Sequence, residues 1–223
     1  MKDKAIIFFT RIPTLGKTKT RLEPFLSKDL CVKLQLAFIE DIYSNIKNMG
    51  IDIIVSYSDH GDLAILEDII NEDICFIRQE GLSLGEKMHN AISFSLKNYR
   101  KVVLIGSDLP LMNKEDIERA FEILETKDLV ISPTYDGGYY LIGMKEENKE
   151  IFNMKYSTSS VFDETIDKIK SLDKSYGVGS YQLDIDDKDD FLKLYKILKE
   201  DDTIPCDNTR DLLYEIMEKR EVI

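Results

Sequence analysis

Histidine is nearly missing from this chain: His60 and His89 are the only two in 223 residues. Neither has a metal-ligand partner at useful spacing, so both are read as structural. No Ser/His/Asp or Cys/His set is present, which argues against covalent nucleophilic catalysis. Cysteine is scarce too. Cys31, Cys75 and Cys206 are odd in number, far apart and without a C-x-x-C pair, so a disulfide framework is excluded. They read as reduced thiols of a cytoplasmic protein. No apolar run approaches the length of a membrane span. The stretch after Met1-Lys2-Asp3-Lys4 is too short for a signal peptide, and no membrane partner is expected. Positive charge is in deficit: 30 Lys and Arg stand against 42 Asp and Glu, a formal net charge of −12. That argues against a nucleic-acid surface, and a polyanionic ligand would have to meet a local basic cluster. Repeats, low-complexity tracts and linkers are absent. One domain over residues 1–223 is expected, long enough to bury roughly 70% of its unfolded surface.

What is there is an alternation of elements. Residues 5–9 read as a strand. Residues 27–49 read as a long helix, with Leu30, Leu34, Phe38, Ile42 and Ile46 at helical spacing, Ser27 as N-cap and Gly50 as stop. Residues 51–57 form the next strand, 62–70 a short helix and 74–77 a third strand. Ser83-Leu84-Gly85-Glu86 has the form of a capping box, starting a helix that runs to about residue 98. Val102-Val103-Leu104-Ile105 is a short apolar strand of the buried parallel kind. Asn113 caps a helix to about residue 125, and residues 129–132 are a fifth strand. This βα alternation predicts a parallel sheet with right-handed crossovers. The pattern then loosens: a strand at 139–144, a helix at about 159–172, a short strand at 181–183, a helix from about Lys188 and a last helix at 208–219. The fold class expected is α/β, Rossmann-like, with a mostly parallel mixed sheet flanked by helices.

Asp108 is the most informative single residue. It follows the strand 102–105 in Gly106-Ser107-Asp108-Leu109-Pro110. Ligands of open α/β sheets gather beyond the carboxyl ends of the strands. A carboxylate on that turn is a candidate metal or ligand contact. The loop after the first strand carries the missing positive charge: Arg11, Lys17, Lys19 and Arg21. Lys17, Lys19 and Arg21 are two residues apart, so in an extended segment they would project to one side. Arg offers a planar fork and Lys a point charge for phosphate. Gly16-Lys17-Thr18 mimics the end of a P-loop, but Arg11 stands where its first glycine belongs. Pro24 would also fall inside the helix such a loop must open, at a cost of about 3 kcal/mol.

Three further clusters stand out. In 184–190, Asp184 and Asp186 alternate and Asp187 suits a helix N-cap. An EF-hand is ruled out, because Lys188 occupies a ligand position and no glycine follows. If Asp184 or Asp186 meets Asp108, the repulsion at ~4 Å would be about 1–4 kcal/mol. A hard divalent cation, Mg²⁺ or Mn²⁺, would remove it. Asp136-Gly137-Gly138-Tyr139-Tyr140 is a sharp turn whose glycines permit close backbone approach, with Asp136 free to accept from hydroxyls. Gln79, Gly81 and Gly85 make a second glycine-bearing loop, and the helix N-terminus after it is a candidate for an anion or a base edge.

Taken together these motifs resemble the DUF2064 family, also called radical-SAM/selenodomain-associated transferase 1. Residues 17–22 resemble its KxKTRL, 79–88 its QGxxLGERM and 106–110 its G[TS]DxP. Residues 136–143 resemble DGGYYLIG, 156–158 resemble WST and 184–186 resemble a late DxD. Ser83, Lys87, Leu111 and Tyr156 depart from the family's Asp, Arg, Asp and Trp. The family is similar to 2-phospho-lactate guanylyltransferases and lies in the nucleotide-diphospho-sugar transferase superfamily with the GT-A fold. The resemblance implies a GT-A-like, metal-dependent transferase that takes a nucleotide or nucleotide-sugar donor and a small-molecule acceptor. Arg11, Lys17, Lys19 and Arg21 are expected to hold donor phosphates, with Asp108, Lys19 and Arg21 at the reacting centre. Asp108 and Asp186, or Asp184 in its place, are expected to hold Mg²⁺ or Mn²⁺. Gln79, Gly81, Gly85, Asp136, Gly137, Gly138 and Tyr139 are expected along the donor or acceptor. Glycosyl transfer, nucleotidyl transfer with pyrophosphate release, and nucleotide binding without turnover all fit these residues. Oligomeric state stays open.

Overall fold

The computed structural model describes residues 1–58, 60–70 and 74–221, with side chains through residue 219. The strands are β1 (Lys2–Thr10), β2 (Asp52–Tyr57), β3 (Cys75–Arg78), β4 (Tyr99–Ile105), β5 (Leu129–Pro133), β6 (Tyr139–Met144) and β7 (Tyr176–Val178). The helices are α1 (Lys28–Ile46), α2 (Ala64–Ile69), α3 (Leu84–Leu96), α4 (Lys114–Thr126), α5 (Val161–Ser171), α6 (Lys188–Glu200) and α7 (Asp207–Glu221). These seven strands form one sheet in the order β3-β2-β1-β4-β6-β5-β7. β1 to β4 pair in parallel. β6 runs antiparallel between β4 and β5, so the sheet is mixed, as the loosened second half of the pattern predicts.

Capping follows the sequence closely. The Ser27 side chain accepts from the Leu30 amide at the start of α1. Ser83 and Glu86 complete a reciprocal capping box on α3, and Asn113 with Asp116 does the same on α4. Asp187 accepts from the amides of Asp189 and Asp190 to open α6. One strand differs from expectation. The edge strand is β7 at Tyr176–Val178, paired parallel to β5, and residues 181–183 contribute only an isolated bridge from Gln182 to Thr134. Gly177 explains the choice: a Cβ there would lie 2.5 Å from Ile123 of α4, so only glycine lets this strand lie against the helix.

Three apolar clusters build the interior. Phe8, Ile6, Val55 and Val103 join α1 and α4 on one side of the sheet. Ile7, Val102, Leu104 and Ile142 join α3 and α5 on the other. The third cluster lies off the sheet and matters most for the site. Leu22, Leu34, Phe38, Ile185, Phe191, Leu194, Leu213 and Ile216 pack there, tying the loop after β1 to the chain before α6. Asp41 of α1 secures α7 to this cluster by accepting from the Asn208 and Thr209 amides at its first turn.

Candidate active site

The basic loop is not extended. Lys17 N–H donates to the Thr14 carbonyl, and Thr14 N–H donates to Thr18 Oγ1 at 2.7 Å. Gly16 takes φ +71°, Lys19 sits in the left-handed region at φ 49°, and residues 20–22 form one 3-10 turn. The cations therefore reach a common cleft by curling round it, rather than by alternating along a strand. Leu22, fully buried in the third cluster, anchors the end of the curl. No α-helix opens before Lys28, which is incompatible with a P-loop.

The cleft has a volume of about 270 Å³, and Arg11, Lys17, Lys19, Arg21, Asp108 and Asp186 contribute its charges. Lys19 is its centre. Its side chain is only 4% exposed, with Nζ 2.6 Å from Asp108 Oδ1, 2.6 Å from the Ile185 carbonyl oxygen and 5.3 Å from the centre of the Phe38 ring. One ammonium thus stitches the β1 loop, the β4 turn and the chain before α6. Arg21 Nη1 meets Asp186 Oδ2 at 2.7 Å, in a pair more open to solvent. Such exposed pairs contribute about 0–1 kcal/mol, so a phosphate can draw Arg21 away at small cost. Among the described residues Arg11 and Lys17 have no ion pair, and both are exposed.

The structure brings Asp108, Asp184 and Asp186 together, and the Ile185 amide donates to the Asp108 carbonyl at 3.3 Å. Burial, then the Asp108 charge, pushes the Asp184 carboxyl up to about 8 against the opposing pull of Lys19. Burial raises Asp186 as well, and Lys19 and Arg21 oppose it. Asp184 Oδ1 is buried and has no hydrogen-bond partner. An orphaned carboxylate oxygen in an all-oxygen acidic set suits a hard divalent cation. Among the described residues no three acidic, His or Cys groups already converge on one metal position. Lys19 supplies part of the compensation that the sequence alone assigned to a metal.

A network the sequence reading missed holds the β4 turn. Gln35, buried in α1, donates through Nε2 to the Ser107 carbonyl at 2.9 Å and to Ser107 Oγ at 3.2 Å. Thr10 Oγ1 donates to Ser107 Oγ at 2.9 Å. Ser107 is thereby fixed next to Asp108. The signal was a lone glutamine inside the apolar stripe of α1, directly after Leu34.

A second cleft of about 310 Å³ adjoins the first and shares Arg21, Ser157 and Asp186 with it. The 136–138 turn forms one wall. Asp136 Oδ1 accepts from Thr134 Oγ1 and from the Gly138 amide. A Cβ on Gly137, at φ +91°, would lie 2.0 Å from the Ser159 carbonyl oxygen, so glycine is required for the turn to dock on 157–160. Tyr139 and Tyr156 place their hydroxyls 3.4 Å apart at the back. Burial, then the neighbouring Tyr156, pushes the Tyr139 hydroxyl well up, keeping it a neutral donor.

The loop between β3 and α3 is braced from within, and Gln79 also lines a cleft of about 290 Å³ together with Arg11 and Lys17. Gln79 is buried and donates to the carbonyls of Thr10 and Ser56, bracing β1 against β2. The α3 N-terminus is closed by its own acid, because Glu86 accepts from the Leu82 and Ser83 amides. That leaves no charge incentive for an anion there. A Cβ on Gly81 would lie 2.7 Å from Glu86 Cβ, and one on Gly85 would lie 2.2 Å from the Phe152 carbonyl oxygen. Both glycines are accounted for by close packing. His89 lies 3.7 Å from Glu147 and 6.1 Å from the Phe152 ring centre, away from both clefts.

Comparison with known proteins bears on family and fold. The chain is 28% identical over 151 residues to a 2-phospho-L-lactate guanylyltransferase of Methanocaldococcus vulcanius, covering 68% of this chain and 65% of that one. It is 27% identical over 186 residues to the enzyme of that name from Methanocaldococcus jannaschii, covering 83% and 78%. The matched stretch therefore spans just under two thirds of the first relative and more of the second. A solved structure from Desulfovibrio desulfuricans G20, whose description assigns it to the nucleotide-diphospho-sugar transferases, superposes with a TM-score of 0.90. It is 29% identical, and the match covers 96% of this chain and 95% of that one. The 4-diphosphocytidyl-2C-methyl-D-erythritol synthase of Anaerococcus prevotii, 12% identical with a TM-score of 0.58, covers 88% of this chain and 96% of its own, and shares the fold. The family DUF2064, described as an uncharacterized protein conserved in bacteria, matches residues 42–158, more than half of the sequence, and this chain belongs to that family.

Proposed function

We propose that the protein is a nucleotidyltransferase: it binds a nucleoside triphosphate in the cation-lined cleft and transfers the nucleotidyl group to a small acceptor, releasing pyrophosphate. The observation that carries this reading is the convergence of Arg11, Lys17, Lys19 and Arg21 on one cleft of an otherwise acidic chain. Four cations against the two carboxylates Asp108 and Asp186 leave the cleft net positive, which suits a polyphosphate. The guanylyltransferase names of the relatives support the same reaction class.

Arg11 and Lys17, in no ion pair among the described residues, would hold the departing phosphates. Lys19, itself buried and fixed by Asp108 and the Ile185 carbonyl, is preorganised to neutralise charge as it develops. Arg21 lines both clefts and would orient donor against acceptor. Asp108, with Asp186 or Asp184, would hold Mg²⁺ or Mn²⁺, which when bound supplies Lewis-acid neutralisation of the phosphates. Gln35 and Thr10 keep the Asp108 turn in place through Ser107.

Incubation with each nucleoside triphosphate, Mg²⁺ or Mn²⁺ and an acceptor panel, with pyrophosphate as readout, tests this. Metal-dependent pyrophosphate release that is lost in Asp108→Ala supports nucleotidyl transfer. Glycosyl transfer is the second reading, favoured by the description of the D. desulfuricans structure. Release of a nucleoside diphosphate from a nucleotide sugar, with no pyrophosphate from any triphosphate, would replace the first reading with it.

A further inference from the structure

The first cleft holds one cation that phosphate binding alone does not explain. Arg11, Lys17 and Arg21 are exposed, as suits a phosphate contact. Lys19 is buried instead, with its Nζ 2.6 Å from both Asp108 Oδ1 and the Ile185 carbonyl oxygen. Its backbone takes φ 49° and ψ 43°, a left-handed conformation uncommon for any residue but glycine. Such strain persists only where the surroundings over-determine it, and it gathers at functional sites. Here the Phe38 ring lies 5.3 Å from the ammonium, and Leu22 is fully buried three residues on. The fold therefore fixes this ammonium against the carboxylates.

The charge of Lys19 reaches all three acids. It pairs with Asp108 and opposes the upward push that burial exerts on Asp184 and Asp186. Asp108 is turned to Lys19 and Asp186 to Arg21, and among the described residues no three acidic, His or Cys groups converge on one metal position. A lone divalent ion arriving at these carboxylates would meet a fixed like charge at short range, and half of their negative charge would already be answered. A divalent ion chelated by a triphosphate is a net anion. The same ammonium attracts it, together with Arg11 and Lys17 on the rim.

Resting on the nucleotidyl-transfer reading, we propose that Lys19 makes metal and donor bind as one: its ammonium, held between Asp108 and the Ile185 carbonyl, keeps a free divalent cation off Asp108, Asp184 and Asp186 and admits the ion as its chelate with the triphosphate. Lys19 is in this respect a positioning residue, acting on the metal through the carboxylates it neutralises. The coupling is reciprocal, so the ion strengthens triphosphate binding by the same factor.

Mn²⁺ binding to the nucleotide-free protein, read from the loss of the free-ion EPR signal, tests this in wild type, Lys19→Met and Arg21→Met, after melting curves show that the variants fold. Methionine keeps an apolar stem in the buried channel and removes the charge. Wild type should bind Mn²⁺ weakly. Lys19→Met should bind it more tightly by about tenfold or more, the scale for removing one like charge at short range, and adding Asp108→Asn should abolish the gain. Arg21→Met should gain less, because that charge is exposed and screened. A Lys19 with a merely structural role would leave Mn²⁺ affinity unchanged or lower it. Lys19→Gln serves as a second variant. A third measurement needs no variant: in wild type, Mn²⁺ and a triphosphate together should raise the Tm by more than the sum of their separate shifts. Equal Mn²⁺ affinity in wild type and the Lys19 variants, a gain that survives loss of Asp108, or strictly additive Tm shifts overturns the inference and leaves nucleotidyl transfer standing. If no triphosphate shifts the melting curve even with Mn²⁺, the nucleotidyl reading itself falls and takes this one with it.

Discussion

The two clefts share a wall and differ in almost everything else. The first is rimmed by cations on a curled loop, and its central cation, Lys19, is buried among oxygens and against Phe38. The second is rimmed by carboxylates and hydroxyls and backed by aromatic rings. Charge of one sign in one cleft and its reverse in the next gives a single site two unlike ends. Arg21, paired with Asp186 at the boundary, is the residue that both ends use. The contrast shows how a chain of net charge −12 can still seat a polyphosphate: local geometry, not net charge, sets the potential in a cleft.

The largest expected effect comes from the centre of the first cleft. Asp108→Ala and Lys19→Ala should each lower the transfer rate by about 10²–10³-fold, the usual scale for losing a preorganised charge at a reacting centre. Single-turnover pyrophosphate release measures it. If Lys19→Ala retains full activity, the buried ammonium is structural and the contrast between the clefts loses its catalytic meaning. Next comes Arg21→Ala. Because it lines both clefts, KM for donor and for acceptor should rise together, and an increase confined to one would assign Arg21 to that side. Raising ionic strength probes the first cleft further: exposed Arg11 and Lys17 are screened, so triphosphate affinity should fall as salt is added, read by titration at several salt concentrations.

Smaller effects probe the scaffold under the clefts. Gln35→Leu leaves the Ser107 carbonyl without its buried donor and should destabilise the fold by about 1–3 kcal/mol, read by denaturant melting. Mildest of all is thiol labelling. Cys75 is exposed, while Cys31 and Cys206 are buried. Burial is also the main force pushing both buried thiols up. A thiol reagent at neutral pH should therefore modify one residue in the native protein and three after unfolding. Rapid labelling of Cys206, held against the Pro110 carbonyl, would show that the third cluster opens readily.

Local signals in the sequence were strong where the physics is local. Ser27, Ser83, Asn113 and Asp187 cap the helices expected of them, because a cap is a contact across two or three residues. The 136–138 turn and the end of β4 were legible for the same reason. The short strand was misplaced from Tyr176–Val178 to 181–183 because both segments are brief, and the difference rests on Gly177 fitting under Ile123. The loop after β1 is identified by its charge, but its path is not legible in the sequence. Its curl depends on Lys19 adopting a left-handed conformation that tertiary contacts hold. Gly81 and Gly85 stood out in the sequence only as a glycine-bearing loop; their close packing on Glu86 and Phe152 is a tertiary feature.

The order of strands and helices, the helix boundaries and the identity of the charged clusters were thus settled by the sequence, through periodicity, capping and turn chemistry that act over a few residues. The tertiary structure alone decided which clusters meet. Arg21 and Asp186 lie 165 positions apart and Lys19 and Ile185 lie 166 apart. They are joined because Leu22 and Ile185 bury themselves in the same apolar cluster. Hydrophobic burial is non-directional along the chain, so no local pattern reveals which segments it will bring together.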